Sequence, residues 1–273
     1  MEKIGIIGYG NMGQAIAHRL SGYQVFVFDK DKTRLAGIGH IHTAAGWEEV
    51  LRNGQDVLIL AVKPQDFAKA LEQVKYKIKE HLVISIAAGI TTGYIENKLG
   101  KVRVVRVMPN MPAKIGRAIS CLCPGKFADT SDLHLAEKIF KCFGRVIIIK
   151  ENLMSAATAV SGSGPAYICH FIDANGIDIA DIPQEKKEKF LEEFLKAAES
   201  CGFHQKEAFL LVNATFEGTI DFLKQSAMSA MELRKQVTSK GGTTEAAFKV
   251  IDAGGSLAKA VKAAKKRAEA LAI

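Results

Sequence analysis

The sequence is poor in proline (6 in 273 residues), has one tryptophan and five cysteines, and contains no uninterrupted block of one charge. With 48% apolar residues against 24% charged, scarce proline excludes a disordered or low-complexity chain, and a compact soluble protein is expected. Cys121, Cys123, Cys142, Cys169 and Cys201 are scattered, and no C-x-x-C pair marks a zinc or redox centre. Reduced thiols in the cytoplasm are therefore expected. Met1-Glu2-Lys3 runs directly into an apolar strand, without the charged leader and cleavage site of a secretory signal. His40-x-His42 has no third ligand beside it, so no metal is expected. The net charge of +8 is dispersed, which suits anionic small molecules and gives no reason to expect nucleic acid. Its densest part, residues 259–267, has apolar residues at helical spacing behind the lysines and reads as a solvated helix face. Residues 152–172 carry no Asp, Glu, Lys or Arg, yet Ser161-Gly162-Ser163-Gly164-Pro165 at their centre is too polar and helix-breaking to cross lipid. This stretch reads as buried backbone at a site or interface, with no membrane partner.

The pattern changes near the middle. Before residue 150, β-rich runs alternate with helical segments, at 3–7, 25–29, 57–62, 82–87 and 102–107, with two more at 118–123 and 145–150. This is the signature of an α/β fold with a parallel sheet covered on both faces. After Glu151 apolar residues recur every three or four positions: Phe190, Phe194, Ala197, Ala198 and Cys201 on one helix, then Phe209, Val212, Phe216, Ile220 and Leu223 on another. The reading is a dinucleotide-binding domain over 1–150 followed by an all-helical domain over 151–273. A small helical layer buries little surface alone, so pairing with a second copy is expected.

Gly8-Tyr9-Gly10-Asn11-Met12-Gly13 follows the first strand and opens a helix, expected over 14–20. Gly8 permits the tight turn, Gly10 lets a pyrophosphate approach the main chain, and Gly13 lets helix and strand pack, so a Rossmann unit binding NAD or NADP is expected. Asp29 ends the second strand, where an acid binds adenosine ribose hydroxyls and favours NAD. Lys30, Lys32 and Arg34 follow at once and suit an added phosphate, which leaves the choice of cofactor open. Ala61-Val62-Lys63-Pro64-Gln65 and Ser85-Ile86-Ala87-Ala88-Gly89 end two strands at the carboxyl edge, where small residues make room for a nicotinamide riboside. Lys63 is either a phosphate ligand or a solvated strand end. Asn110, between Pro109 and Pro112, either holds its amide toward the nicotinamide ring or belongs to a plain turn. The segment Val237-Thr238-Ser239-Lys240-Gly241-Gly242-Thr243-Thr244-Glu245 packs hydroxyls and main-chain donors before a helix expected over 245–251. Ser239, Gly241, Gly242, Thr243 and Thr244 thus form a candidate nest for one carboxylate, which a simple cap from Thr243 or Thr244 would explain only in part.

These segments, together with Val160-Ser161-Gly162-Ser163-Gly164-Pro165-Ala166-Tyr167, resemble pyrroline-5-carboxylate reductase in order along nearly the whole chain. The resemblance implies a Rossmann domain, a helical dimerisation domain and NAD(P)H-dependent reduction of a cyclic imine to proline. It implies that Ser239, Gly242, Thr243 and Thr244 hold the substrate carboxylate and ring nitrogen, and that Asn110 and residues 162–165 shape the pocket. Three departures stand out. Lys240 replaces the usual proline, residues 172–189 read as an exposed loop, and Asp29 replaces a small or hydroxyl residue often seen with NADPH. The imine nitrogen can be protonated by water beforehand, so positioning, which can supply on the order of 7 kcal/mol of barrier reduction, replaces a strong protein acid. Thr244 is the candidate partner of that nitrogen, with Tyr167 as the rival proton donor. The alternatives are another imine or β-hydroxyacid reductase, whose lysine acid has no counterpart between Ser161 and Tyr167, or a non-catalytic NAD(P)-sensing module.

Overall fold

The computed structural model describes residues 2–39, 41–78 and 80–273; Met1 and His40, on which two of the expectations above partly rest, lie outside the described residues. Eight strands, β1 (Lys3–Ile7), β2 (Gln24–Phe28), β3 (His42–Thr43), β4 (Val57–Leu60), β5 (Leu82–Ser85), β6 (Arg103–Met108), β7 (Ala118–Pro124) and β8 (Gly144–Ile148), form one sheet in the order β3-β2-β1-β4-β5-β6-β7-β8. From β3 to β6 every pairing is parallel. β4 and β5 are buried at every position, as expected of strands with both faces covered. The helices α1 (Asn11–Arg19), α2 (Trp47–Asn53), α3 (Pro64–Val74), α4 (Thr92–Leu99) and α5 (Thr130–Lys141) connect the strands. The expected strands agree with the observed ones to within a residue or two. Helix α1 begins at Asn11, inside the glycine motif, because Gly10 is its N-cap.

Arg106, buried near the end of β6, pairs with Glu151. The other oxygen of Glu151 accepts from the Thr92 hydroxyl at 2.9 Å and from the Thr92 main-chain N–H at 3.3 Å, so three segments meet at one carboxylate.

After β8 the described residues contain helices and no strand: α6 (Met154–Ala157), a wide π-turn (Thr158–Gly162), α7 (Gly164–Ala174), α8 (Gln184–Glu199), α9 (Gln205–Ser226), α10 (Ala230–Val237), α11 (Thr243–Asp252) and α12 (Leu257–Ala270). The charge-free stretch is indeed interior: Ser161 and Ser163 are buried, and a Cβ on Gly164 would come within 2.6 Å of Thr215. The exposed loop expected over 172–189 is shorter. α7 runs to Ala174 and α8 starts at Gln184, so Glu185 and the lysines after it form the solvent face of a first turn. Pro183 fits just before a helix, and the Gln184 amide donates to Glu188 at 2.7 Å along that face. In α12, Ala260, Val261, Ala264 and Ala268 are buried while Lys259, Lys262 and Lys266 face solvent.

The chain forms two compact units, which depart from a single cut at 150 in two places. The first takes residues up to Met108, Leu122–Glu151 and Ile273; the second takes Pro109–Cys121 and Asn152–Ala272. Segment 109–121 goes with the helices because Arg117 pairs with Asp221 of α9 at 3.1 Å and lies directly on Gly218. A Cβ at Gly218 would stand 2.2 Å from the Arg117 carbonyl oxygen, so only glycine permits that approach. Ile273 joins the first unit by donating its N–H to the Gly89 carbonyl at 2.9 Å and accepting from Thr91 N–H at 3.2 Å.

Candidate cofactor and substrate sites

Two of the three motif glycines are sterically determined. Gly8 has φ +100°, and a Cβ there would lie 2.6 Å from the Ala61 carbonyl oxygen; one on Gly13 would lie 2.1 Å from the Gly8 carbonyl oxygen. At Gly10 the added atom would meet only Arg34 Nη1, at 3.8 Å, which leaves open space over the main chain where α1 begins with unpaired amides. A cavity of about 380 Å³ adjoins it, lined by Gly8, Gly10, Asp29, Lys30, Ala61, Val62 and Lys63 among the expected residues. Arg34, Asp66, Lys69, Phe28 and Trp47 are also in its wall, and the two aromatic rings lie 5.4 Å apart. Asn11, Met12, Gly13, Pro64, Ala87 and Gly89 belong to the same unit outside that lining, whereas Asn110 belongs to the second unit. A larger hollow, about 1040 Å³, opens among Arg52, Asp56, His81 and Arg103. It lies at the starts of β4 to β6, opposite the edge at which open sheets bind ligands, so the smaller cavity is the better candidate.

Asp29 is buried, and its carboxylate is already engaged. Oδ2 accepts from the Tyr9 main-chain N–H at 2.6 Å and Oδ1 from the Asp31 N–H at 2.8 Å, while Arg34 Nη1 lies 3.6 Å away. Asp29 thus clamps the glycine turn, a role its position at the strand end did not suggest. Lys30 is paired with Asp66 at 2.9 Å and Arg34 with Asp31 at 3.3 Å, so Lys63 and Lys69 are the cations lining the cavity that have no ion pair among the described residues.

The second unit gathers hydroxyls. Ser163 Oγ lies 3.0 Å from Thr243 Oγ1 and 3.0 Å from Thr244 Oγ1, and Thr244 Oγ1 is also 3.2 Å from the Val237 carbonyl oxygen. A hydroxyl has one proton, and a carbonyl can only accept. When Thr244 donates to Val237, its lone pairs face Ser163 and the cluster. Gly242 is the N-cap of α11, so neither threonine caps the helix. The nest is narrower than expected. The Gly241 N–H donates to Glu245 at 2.9 Å and the Gly242 N–H to the Ser239 carbonyl at 3.0 Å, so the open amides begin at Thr243. A Cβ at Gly242 would sit 2.2 Å from Ser239 Oγ, so glycine there is what lets the Ser239 hydroxyl pack over the turn.

Tyr167 is buried, edge-on to Phe194 at 5.9 Å, with its hydroxyl unpartnered. Burial pushes its phenol well above the ordinary range, which weakens it as a proton donor. Asn110 is buried too; its side-chain oxygen accepts from Ile119 N–H at 3.1 Å, and its amide nitrogen has no partner. Sequence reasoning missed Trp47, which only its rarity marked, and gave Ser163 no hydroxyl role although it lies in the quoted Ser161-to-Tyr167 segment.

A sheet in this strand order, opened by a glycine turn at the start of a helix, defines a dinucleotide-dependent oxidoreductase. Comparison with known proteins narrows the class. A family model described as pyrroline-5-carboxylate reductase dimerisation matches residues 188–271, and one described as coenzyme F420-dependent NADP oxidoreductase matches residues 3–89. A pyrroline-5-carboxylate reductase of Methanosarcina acetivorans is 36% identical over 89% of this chain and 87% of its own. The solved structure of the Coxiella burnetii reductase is 32% identical, with TM-score 0.65 over 100% of this chain and 99% of its own. That of Plasmodium falciparum, described with NADP bound, is 26% identical, with TM-score 0.64 over 100% and 98%. The chain belongs to the pyrroline-5-carboxylate reductase family.

Proposed function

We propose that this protein reduces pyrroline-5-carboxylate to L-proline with NAD(P)H, the first unit serving as the NAD(P)-binding domain and the second as the substrate-binding and dimerisation domain. The bound cofactor supplies a hydride to the imine carbon. The chain's residues do the rest. The turn from Gly8 to Gly13 seats the diphosphate on open amides, and Arg34, Lys63 and Lys69 balance its charge. The first amides of α11, with Ser239 and Thr243, take the substrate carboxylate. Thr244, its proton turned to the Val237 carbonyl, accepts from the N–H of the imine already protonated by water. Asn110, whose buried amide nitrogen has no partner among the described residues, is a further candidate for shaping the pocket.

The observation that carries this reading is the Ser163, Thr243 and Thr244 hydroxyl cluster at a Gly-Gly turn opening a helix. The residues between Ser161 and Tyr167 include no lysine acid of the β-hydroxyacid reductase kind. Homo-oligomer formation through the helical unit, in its simplest form a homodimer, is part of the proposal. So is a cytoplasmic location, in keeping with five free cysteines. Among the described residues no helix is long and apolar enough to cross a membrane. A steady-state assay with NADH and NADPH on the cyclic imine tests the reading; it requires one proline formed per reduced cofactor consumed, and no turnover with either cofactor refutes it.

A further inference from the structure

Two charged side chains meet at a single residue of the 239–244 turn, one on each of the two peptide units that flank the Gly241 Cα. Arg267, in the last turn of α12, donates Nε–H to the Gly241 carbonyl oxygen at 2.7 Å, and Glu245, in the first turn of α11, accepts from the Gly241 N–H at 2.9 Å. Both are charge-assisted bonds, roughly twice as strong as neutral ones. Gly241 has φ +71°, a conformation open to glycine and costly for other residues, and glycine has the most backbone freedom to lose on ordering. Lys240, beside it, adds no ring to stiffen the turn. A turn built from a lysine and two glycines therefore depends for its rigidity on groups outside it. Arg267 is a firm anchor because its neighbours Ala264 and Ala268 are buried, and Glu245 is fixed by the helix that starts at Thr243.

We propose that Arg267 and Glu245 are positioning residues that hold the two peptides flanking Gly241, Glu245 the one before it and Arg267 the one after it, and so set how tightly the turn binds the carboxylate of the imino acid. The inference rests on the reading of that turn as the substrate seat. If the peptides on either side of Gly241 were free to rotate, the Ser239 hydroxyl and the first amides of α11 would lose their common direction, and a carboxylate would have to order them on binding. The consequence falls on substrate affinity, with little effect on the cofactor or on the chemical step.

The test compares Arg267→Met, Arg267→Lys, Glu245→Ala and Thr244→Ala in the full chain, with Michaelis constants for the imine and for NAD(P)H and amide hydrogen exchange across residues 238–246. Arg267→Met and Glu245→Ala are expected to raise the KM for the imine roughly tenfold, as loss of a charged hydrogen bond would, with kcat and cofactor KM within about twofold of wild type and faster exchange in that segment. Arg267→Lys, which keeps a cationic donor, restores most of the affinity. An unchanged imine KM in Arg267→Met, or an equal rise for imine and cofactor, overturns the inference. Impaired Thr244→Ala beside normal Arg267→Met removes the clamp alone, whereas normal kinetics in Thr244→Ala removes the substrate seat itself.

Discussion

The carboxylate of Asp29 accepts the main-chain N–H of Tyr9 at 2.6 Å, which ties the end of β2 to the turn that follows β1. An acid at this place is commonly read as a selector against a 2′-phosphate. Here it is first of all a brace for the glycine turn. Asp29→Ser is accordingly expected to raise the KM for NADH and for NADPH together, by roughly tenfold, since two amides lose a charged acceptor. Paired kinetics with both cofactors decide it; a clean switch to NADPH with undiminished affinity would show that ribose selection is its main task.

Thr244→Ala is expected to lower kcat/KM for the imine by roughly tenfold or more, in proportion to the loss of a positioned hydrogen-bonding group. Thr244→Ser keeps the hydroxyl and is expected to stay within about threefold of wild type. Equal activity in all three proteins would take Thr244 out of the mechanism.

Gly242→Ala places a methyl group 2.2 Å from Ser239 Oγ and 3.0 Å from the Ser239 carbonyl oxygen. To admit it, Ser239 has to turn its hydroxyl away and its carbonyl has to give by a few tenths of an ångström. Imine binding is expected to fail while NADPH binding, followed by cofactor fluorescence, stays intact. Loss of both would trace the effect to folding.

Glu151→Ala removes the partner of the buried Arg106 and the acceptor of the Thr92 N–H and hydroxyl. A buried charge left alone is costly, and because Glu151 itself is partly exposed the expected loss is about 2–3 kcal/mol, at the low end for such pairs. Urea unfolding measures it. A midpoint equal to wild type would mean that water replaces the carboxylate without penalty.

Thiol reactivity gives a further check. Burial pushes Cys121, Cys123 and Cys169 up to about 12 and raises Cys201, whereas Cys142 is exposed. One fast thiol is expected with a chromogenic disulfide in the native protein at pH 8, and five after denaturation. Raising the pH to 9 should leave the slow group slow, because those thiols stay protonated until the pH nears their raised values. Several fast thiols in the native protein would contradict the burial.

Much of the fold was legible because its signals are local. Residues 57–60 and 82–84 are apolar without a break, and they lie in the strands buried at every position. The glycine turn was legible for the same reason, since Gly8 and Gly13 each answer a clash within a short span of chain or with the neighbouring strand. What escaped depends on distant partners. The two-residue β3 is too short to show a period, and its pairing is set by β2. Arg267 reads as one more cation on a basic helix until the Gly241 carbonyl is placed against it. Asp29 was found for its position, while its brace on the glycine turn was not legible, because the Tyr9 amide that it accepts lies on another strand's turn.

Segment 109–121 has a consequence for anyone who would take the protein apart. Neither unit is an unbroken length of polypeptide, so a gene severed at codon 150 would give one product carrying a stray ribbon and another with a bare groove along Gly218. Chimaeras between relatives would have to move that ribbon together with the helices. On the ribosome, the ribbon emerges long before the groove that receives it, and it must wait, unseated, until α9 has been made.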